Sequence, residues 1–288
     1  MKILLIRCFS LIVFVLTSKI LIQCTSYFYL IMNKAKKITC IIQARTNSSR
    51  LPNKILLKLS NTHIIVHIID RIKQSNLIEQ IILATTINHD DQILLDIAND
   101  NQITSFKGNE FDVLDRFYTA AKENDAGIVI RITGDCPLVD PILIDKMLKF
   151  FLENNFDYVS NTIERTYPDG LDVEIFTFST LEKAFFEATW ISEREHVTPY
   201  IIKNPKLFKL FSYTNVENLS HLRWCLDEAS DYEMLQKIYQ EFEPNNFFPT
   251  TDVLKLLEKK PEISKMNSGI PTNEGYDNSI KNDKKSKS

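Results

Sequence analysis

The chain has 288 residues, of which 44% are hydrophobic and 25% are charged, so it can form one large or two small domains around a substantial core. The formal net charge is −3, and the acidic excess lies in residues 32–263 because both ends of the chain are basic. This excludes general binding to nucleic acid or to anionic membranes, which depends on neutralising phosphate groups, so any anionic ligand needs a local basic cluster.

The two ends of the chain differ in composition from the rest. Residues 1–31 form a hydrophobic leader that Lys19 interrupts, so the longest apolar run is too short to span a bilayer. The leader is either a secretion signal or an upstream extension of the reading frame, and the lack of a clear cleavage site favours a cytoplasmic protein that begins at Met32. Its five cysteines form no C-x-x-C pair, which excludes a zinc site and a disulfide framework. Residues 264–288 are polar and are expected to be a disordered tail.

Residues 32–263 alternate apolar runs with segments of helical spacing, which predicts an α/β fold with a mostly parallel sheet. Strands are predicted at 38–42, 80–85, 103–106, 128–132 and 157–160, and helices at 63–73, 90–99, 112–123 and 141–152. After Tyr167 the rhythm changes, and strands are predicted at 171–176, 208–214 and 222–226, with helices at 179–189, 192–202 and 231–241. Ligands bind beyond the carboxyl ends of such strands, so four loops should converge there: 43–54, 86–90, 107–112 and 133–140.

The loop after the first strand is basic and contains no acidic residue. Three cations, Arg45, Arg50 and Lys54, lie close together with the hydroxyl groups of Ser48 and Ser49. The six glycines fit neither G-x-G-x-x-G nor the Walker spacing, so side chains must supply most contacts to any phosphate. The loop therefore predicts a triphosphate site, and the alternative is a solvated basic surface loop.

Two aspartates follow predicted strands and are not needed as helix caps. Asp140 is placed to cap the helix that follows it, which leaves Asp135 free for another role. Ser230 and Glu233 have the spacing of a capping box, which leaves Asp227 free as well. Because Mg²⁺ takes one or two carboxylates together with substrate phosphates, Asp135 and Asp227 are predicted to hold Mg²⁺ beside the basic loop.

Three further groups of charged residues indicate a binding site less clearly. Asp112, Asp115 and Arg116 share one helix face, and a surface ion pair is the favoured interpretation. Asp172 and Glu174 alternate along a predicted strand, so they should face one side together. A cation, a carboxylate and an imidazole follow at 194–196, and with the strand they could bind a negatively charged polyol.

Five motifs carry a family resemblance. Q-A-R-x4-R-L-P-x-K, D-V-L-D-R, R-I-T-G-D-C-P-L-V-D-P, Y-P-D-G-L-D-V-E and R-E-H-V-T-P-Y occur in this order within residues 38–245. Together they resemble the SpsF-like branch of the cytidylyltransferases, which is similar to the synthetases of CMP-sialic acid and CMP-KDO. The resemblance implies a three-layer nucleotidyltransferase fold of the GT-A type. It also implies transfer of CMP from CTP to an acidic sugar with release of pyrophosphate, and a possible homodimer.

The resemblance also implies roles for individual residues. Asp135 matches the metal-binding aspartate of a G-D-x-P motif, and Asp227 matches the second one, although the stretch reads D-E-A-S-D here without the family's proline. Asp115 and Arg116 match the nucleotide-recognition segment. The triphosphate-binding loop is matched by Arg45, Ser49, Arg50 and Lys54. The expected catalytic set is Arg45, Lys54, Asp135 and Asp227. The expected sugar-binding set is Asp169, Asp172, Glu174, Arg194 and His196.

Two alternatives stay open at this point. A GT-A glycosyltransferase would use a nucleotide sugar as donor, but the D-x-D triplet that such enzymes commonly use is missing from the sequence. A non-catalytic nucleotide- or sugar-binding relative is the other alternative, and the retained basic loop and aspartates argue against it. The general base is not identified, and His196 and Asp172 are its candidates.

Overall fold

The computed structural model describes residues 37–271, 274–281 and 283–285, and the predicted leader at 1–31 lies outside these residues. A sheet of seven strands forms the centre, in the order β5-β4-β1-β6-β8-β7-β9. Strands β1, β4, β5 and β6 are mutually parallel, and β7 is parallel to β9, whereas β8 is antiparallel to both its neighbours. The strands are β1 Lys37–Gln43, β4 Gln80–Thr86, β5 Thr104–Gly108, β6 Ala126–Thr133, β7 Tyr158–Ser160, β8 Glu174–Thr177 and β9 Leu210–Ser212, and a separate hairpin pairs β2 Lys58–Leu59 with β3 Thr62–His63.

Helices cover both faces of the sheet, which makes three layers. Along β1, Cys40 and Ile42 belong to one buried cluster and Ile41 belongs to another, because side chains alternate between the faces of a strand. The first cluster includes apolar residues of α1, α4 and α8, and the second includes those of α3, α5 and α7. The helices are α1 Ile64–Ile72, α2 Gln92–Asp100, α3 Val113–Glu123, α4 Pro141–Glu153, α5 Phe178–Glu187, α6 Ile191–His196, α7 Pro199–Lys203, α8 Ala229–Phe242, α9 Thr250–Lys259, α10 Pro261–Lys265 and α11 Glu274–Lys281. The predicted three-layer fold with a mostly parallel sheet is confirmed.

The loops that follow β1, β4, β5 and β6 converge at one edge of the sheet, as predicted. Gly134 donates its backbone N–H to the carbonyl of Gln43 at 2.9 Å, and a Cβ on this glycine would lie 2.9 Å from that same oxygen. Asp91 accepts hydrogen bonds from the backbone N–H and the hydroxyl of Thr46, both at 2.7 Å, and from the hydroxyl of Thr86. These contacts hold the ends of β1, β4 and β6 together.

The structure differs from several predicted boundaries in the second half of the chain. The strand predicted at 222–226 is wrong, since Arg223 makes only an isolated bridge, to Asp169, and the apolar residues of this stretch are buried in a loop. The next helix begins at Ala229, and its capping box is formed by Glu228 and Asp231 instead of the predicted pair. The helix predicted at 192–202 is divided into α6 and α7.

The predicted disordered tail also differs from the structure. Helix α11 lies within residues 264–288, and Asn267 is buried, with its amide donating to the carbonyl of Arg223 at 2.9 Å and to Asp231 Oδ1 at 2.8 Å. Composition predicts disorder from a shortage of apolar residues, but specific hydrogen bonds hold the described part of this segment on the domain. None of the helices in the described part of the chain is long and apolar enough to cross a membrane.

Gly170 is the position where a larger residue should be most costly. Its φ of 108° favours glycine, and a Cβ would lie 2.5 Å from the backbone nitrogen of Cys225. We expect Gly170→Ala to lower the free energy of unfolding by about 3 kcal/mol or more, measured by urea denaturation. Gly269→Ala is the matched control: its φ is 87° but nothing lies within 4 Å of the added Cβ, so a loss of about 1 kcal/mol is expected. Equal losses in the two variants would contradict the close approach at residue 170.

Candidate active site

A cavity of about 390 Å³ opens at the edge of the sheet where the loops converge. Its wall is formed by the ends of β1 and β6, the basic loop, the start of α3 and the end of α6. Of the described residues on the wall, the basic ones are Arg45, Arg50, Lys54 and Arg116, and the acidic ones are Glu110, Asp135, Glu195 and Asp227. The positive and negative side chains therefore nearly balance.

The basic loop keeps its shape through its own backbone and through Asp91. The carbonyl of Thr46 accepts hydrogen bonds from the backbone N–H groups of Ser48 and Asn53, both at 3.0 Å, and the side chain of Thr46 is tied to Asp91. Asn53 has a φ of 56°, in the left-handed region that asparagine tolerates. This turn places the predicted residues Arg45, Ser49, Arg50 and Lys54 on the cavity wall.

Lys54 lies between the two predicted metal ligands. Its Nζ donates to Asp135 Oδ2 at 3.0 Å, to Asp227 Oδ1 at 2.8 Å and to the carbonyl of Leu226 at 2.8 Å. An ammonium group has three N–H donors, so these contacts use all of them. The structure thus brings Asp135 and Asp227 together, as the sequence predicts, with a lysine at the centre of the pair.

Neighbouring charges determine the protonation states of Asp135 and Lys54. Burial favours the neutral form of Asp135, but the charge of Lys54 and the hydroxyl of Thr133, which donates at 2.6 Å, hold the pKa of Asp135 well below its usual value. Burial opposes the charge of Lys54 as well, and the two aspartates outweigh it and raise the lysine pKa. Asp135 is therefore ionised and Lys54 is protonated at neutral pH.

Asp227 has two more cationic partners. Arg50 Nη2 lies 2.9 Å from its Oδ1, and Arg223 Nη2 donates to its Oδ2 at 3.3 Å. Arg223 is buried and also binds Asp169 at 3.2 Å and Asp231 at 2.9 Å. It was not singled out from the sequence, and its only signal is the spacing R-x3-D-x3-D over 223–231. Arg223 is a positioning residue for Asp227.

Of Asp115 and Arg116, the pair predicted to recognise the nucleotide, only Arg116 lies at the cavity. Arg116 lies on the cavity wall and is buried, which contradicts the predicted surface ion pair, and its Nη1 donates to the carbonyl of Asn109 at 3.0 Å. Burial, together with the charge of Arg45, lowers the pKa of Arg116 to about 10. Asp115 lies outside the wall, and its backbone N–H donates to the Asp112 carboxylate at 2.9 Å.

Of the five predicted sugar-binding residues, only His196 lines the cavity. Glu195, the carboxylate of the 194–196 stretch, lines the cavity as well, although the predicted sugar-binding set does not include it. Burial lowers the pKa of His196 although the charge of Glu195 opposes this, so the imidazole is neutral near pH 7. Arg194 points elsewhere, with its Nε donating to Asp112 Oδ2 at 2.6 Å and its Nη1 to the carbonyl of Phe185 at 3.0 Å.

The three predicted carboxylates of the sugar site form internal pairs. Glu174 is buried against Arg131 and accepts a hydrogen bond of 2.5 Å from the Tyr158 hydroxyl. Asp172 precedes β8 and binds Arg165 through both oxygens, at 2.6 and 2.8 Å. Asp169 binds Arg223. Asp172 and Glu174 therefore have separate arginine partners, and the structure differs from the prediction that they act together on a ligand.

Among the described residues, no group of three or more His, Cys, Asp or Glu side chains is arranged to hold a metal ion. The donor set at the cavity nevertheless fits Mg²⁺, because Asp135 and Asp227 can supply two carboxylates and phosphate oxygens of a substrate can supply the remaining ligands. The Mg²⁺ site stays a prediction.

Replacing Lys54 by methionine should reverse the pH dependence of stability near this group. In the wild type, the lowered pKa of Asp135 means that its contribution is complete above about pH 4 and is lost as the pH falls further. In Lys54→Met, burial without a cation raises the Asp135 pKa, so the variant should lose about 2 kcal/mol at pH 7 and recover part of it by pH 5. Urea denaturation at both pH values measures this.

The exposed Lys58 provides the control for that experiment. Lys58→Met should keep the stability and the pH dependence of the wild type, because its side chain does not lie between the aspartates. If Lys54→Met lost as much stability at pH 5 as at pH 7, the ionised state of Asp135 would not depend on the charge of Lys54.

Comparisons with known proteins agree with this geometry. A family model described as cytidylyltransferase matches residues 39–259. An uncharacterised protein of Methanocaldococcus jannaschii is 42% identical over 81% of this chain and 96% of its own length. The spore coat polysaccharide biosynthesis protein SpsF of Bacillus subtilis is 29% identical over 79% of this chain and 96% of its own. A 3-deoxy-manno-octulosonate cytidylyltransferase of Chloroherpeton thalassium gives a shorter match, which is 36% identical over 41% of this chain and 47% of the relative.

A solved structure extends the agreement to three dimensions. A cytidylyltransferase from Leptospira borgpetersenii superposes with a TM-score of 0.78 and 36% identity, and the match covers 82% of this chain and 99% of that one. The resemblance to SpsF-like cytidylyltransferases inferred from the five motifs is thereby confirmed. The chain belongs to the cytidylyltransferase family and is a nucleotidyltransferase enzyme.

Proposed function

We propose that this enzyme transfers CMP from CTP to an acidic sugar and releases pyrophosphate. The observation that carries the proposal is the arrangement around Lys54, where Asp135 and Asp227 lie next to the basic loop at one cavity. The name of SpsF refers to polysaccharide biosynthesis, and that of the 3-deoxy-manno-octulosonate cytidylyltransferases refers to an acidic sugar. Both names support a sugar as the acceptor.

In the proposed reaction, a sugar hydroxyl oxygen bonds to the α-phosphorus of CTP while the bond to the pyrophosphate oxygen breaks. Arg45, Arg50 and Lys54 are the residues placed to bind the triphosphate and to stabilise the charge on the leaving pyrophosphate. Asp135 and Asp227 would hold Mg²⁺. A bound Mg²⁺ would neutralise the negative charge on the phosphate oxygens. Lys54 and Arg50 bind these aspartates in the structure. Each of the two cations must therefore release a carboxylate in order to bind a phosphate oxygen.

The opposite wall of the cavity is suited to the acceptor sugar. Glu195 can accept hydrogen bonds from sugar hydroxyls, and a neutral His196 can accept the proton that the attacking hydroxyl loses. Asp172, the other candidate for the general base, is bound by Arg165 through both oxygens and lies outside the cavity wall. We therefore assign the role of general base to His196.

The function can be tested with the full chain, CTP, Mg²⁺ and a panel of acidic and neutral sugars. We expect pyrophosphate release only when CTP, Mg²⁺ and an acidic sugar are all present, and loss of release on adding a chelator. Sugar transfer from a supplied nucleotide sugar would identify a glycosyltransferase instead. Binding of CTP without turnover against any sugar would identify a non-catalytic relative.

Asp135→Asn should lower kcat by about 100-fold or more while the protein stays folded, because the amide keeps the shape but removes the negative charge that would hold Mg²⁺ beside the triphosphate. Pyrophosphate release measures kcat, and circular dichroism checks the fold. Asp90→Asn is the control, since the Asp90 side chain is 91% exposed and the residue does not line the cavity. Full activity of Asp135→Asn would remove this residue from the proposed mechanism.

A further inference from the structure

The polar C-terminal segment packs against the helix that carries the acceptor side of the cavity. Helix α11 contacts α6, whose last residues are Glu195 and His196. The cytidylyltransferase family model ends at residue 259, so α11 lies beyond the segment that it matches. We call residues 274–281 and 283–285 the C-terminal strap. Its contacts are an addition to the part of the chain that the family model describes.

The strap binds both side chains of α6 that face the cavity. The hydroxyl of Ser279 donates to Glu195 Oε2 at 3.1 Å, and the same oxygen lies 3.0 Å from His196 Nε2. The ring of Tyr276 meets the His196 ring edge to face, with 5.1 Å between the ring centroids. One serine hydroxyl therefore joins the two cavity residues.

The strap also binds the beginning of α6. Asp283 accepts hydrogen bonds from the backbone N–H of Ser192 at 3.0 Å and from its hydroxyl at 2.5 Å. The carbonyl of Lys284 accepts from the backbone N–H of Ile191 at 2.8 Å. The first N–H groups of a helix have no partner within the helix, so these acceptors satisfy them. Contacts at both ends set where α6 lies along its axis.

The body of the domain holds α6 through different residues. Glu193 accepts from the backbone N–H groups of Thr189 and Trp190, both at 3.1 Å, and Arg194 binds Asp112 at 2.6 Å. These contacts maintain the helix without touching the side chains of Glu195 or His196. Hence the strap contacts are the ones that orient the two cavity residues.

The shared hydroxyl also determines the direction of the hydrogen bonds. Ser279 has one hydroxyl proton, and the Glu195 carboxylate can only accept, so His196 must donate its Nε2 proton to Ser279 Oγ. The Nδ1 atom of a neutral His196 then carries the lone pair. This is the form that can accept a proton from a substrate hydroxyl.

We propose that the C-terminal strap orients the acceptor side of the active site, with Ser279 as the positioning residue for Glu195 and His196. The strap fixes the imidazole with Nε2 bound to the protein and Nδ1 available to the sugar. The choice of the sugar as the affected substrate rests on the proposed function, whereas the effect on the His196 ring does not.

Ser279→Ala in the full chain tests the proposal. We expect KM for the acidic sugar to rise by about threefold to tenfold, the value of one or two hydrogen bonds, while KM for CTP stays within twofold. Ser279→Thr keeps the hydroxyl and should retain wild-type KM values. Asp277→Asn, at an exposed position of the same helix, is the matched control and should also behave as wild type.

A second measurement does not need turnover. In nitrogen-15 NMR spectra, the hydrogen-bonded Nε2 proton of His196 should be visible in the wild type and in Ser279→Thr, and should vanish by exchange with water in Ser279→Ala. His196→Gln assigns the signal. If the signal persists in Ser279→Ala, or if KM rises equally for both substrates, the proposal is wrong. If the wild type releases no pyrophosphate, the proposed function fails while the NMR result still decides the role of the strap.

Discussion

The ion pairs of Lys54 with Asp135 and Asp227 are the contacts on which the arrangement of the site depends. The three residues come from distant parts of the chain, 81 and 173 positions apart, so only the complete fold can bring them together. Two carboxylates so close to each other would repel, and burial would favour their neutral forms. The positive charge of Lys54 lies between the two carboxylates, offsets their repulsion and keeps Asp135 ionised at the cavity wall.

The sheet explains why these residues meet at this point. Strand β6 ends next to the end of β1, and Asp135 follows two residues after β6. The carbonyl of Asp135 accepts a hydrogen bond of 2.8 Å from the backbone N–H of Leu226, which fixes the loop that carries Asp227. Arg223 binds Asp227 directly and is itself held by Asp231. The ends of the parallel strands thus form one side of the site, and the buried charge network of Arg223 attaches the loop that carries Asp227 to it.

The sequence predicts the parallel half of the fold well because β1, β4 and β6 are apolar runs buried on both faces, and Asp140 caps α4 as its position predicts. It cannot show which carboxylates are already paired. Glu174 has Arg131 as its partner only because the two residues lie opposite each other in the β6–β8 register. The loop at 222–226 is equally apolar, yet its backbone lacks a neighbouring strand over most of its length, so periodicity misassigns it.

The charge pattern of the site couples the substrates in the proposed reaction. In the structure the cations that would bind a triphosphate neutralise the aspartates that would bind Mg²⁺. A triphosphate alone would draw Lys54 and Arg50 away and leave those carboxylates uncompensated beside new negative charge. Mg²⁺ alone would take the carboxylates and leave cations facing a dication. In the proposed reaction only the two together would restore the balance, so each should increase the affinity of the site for the other. The Lys54 pairs would then be the resting state of a site that binds metal and nucleotide together.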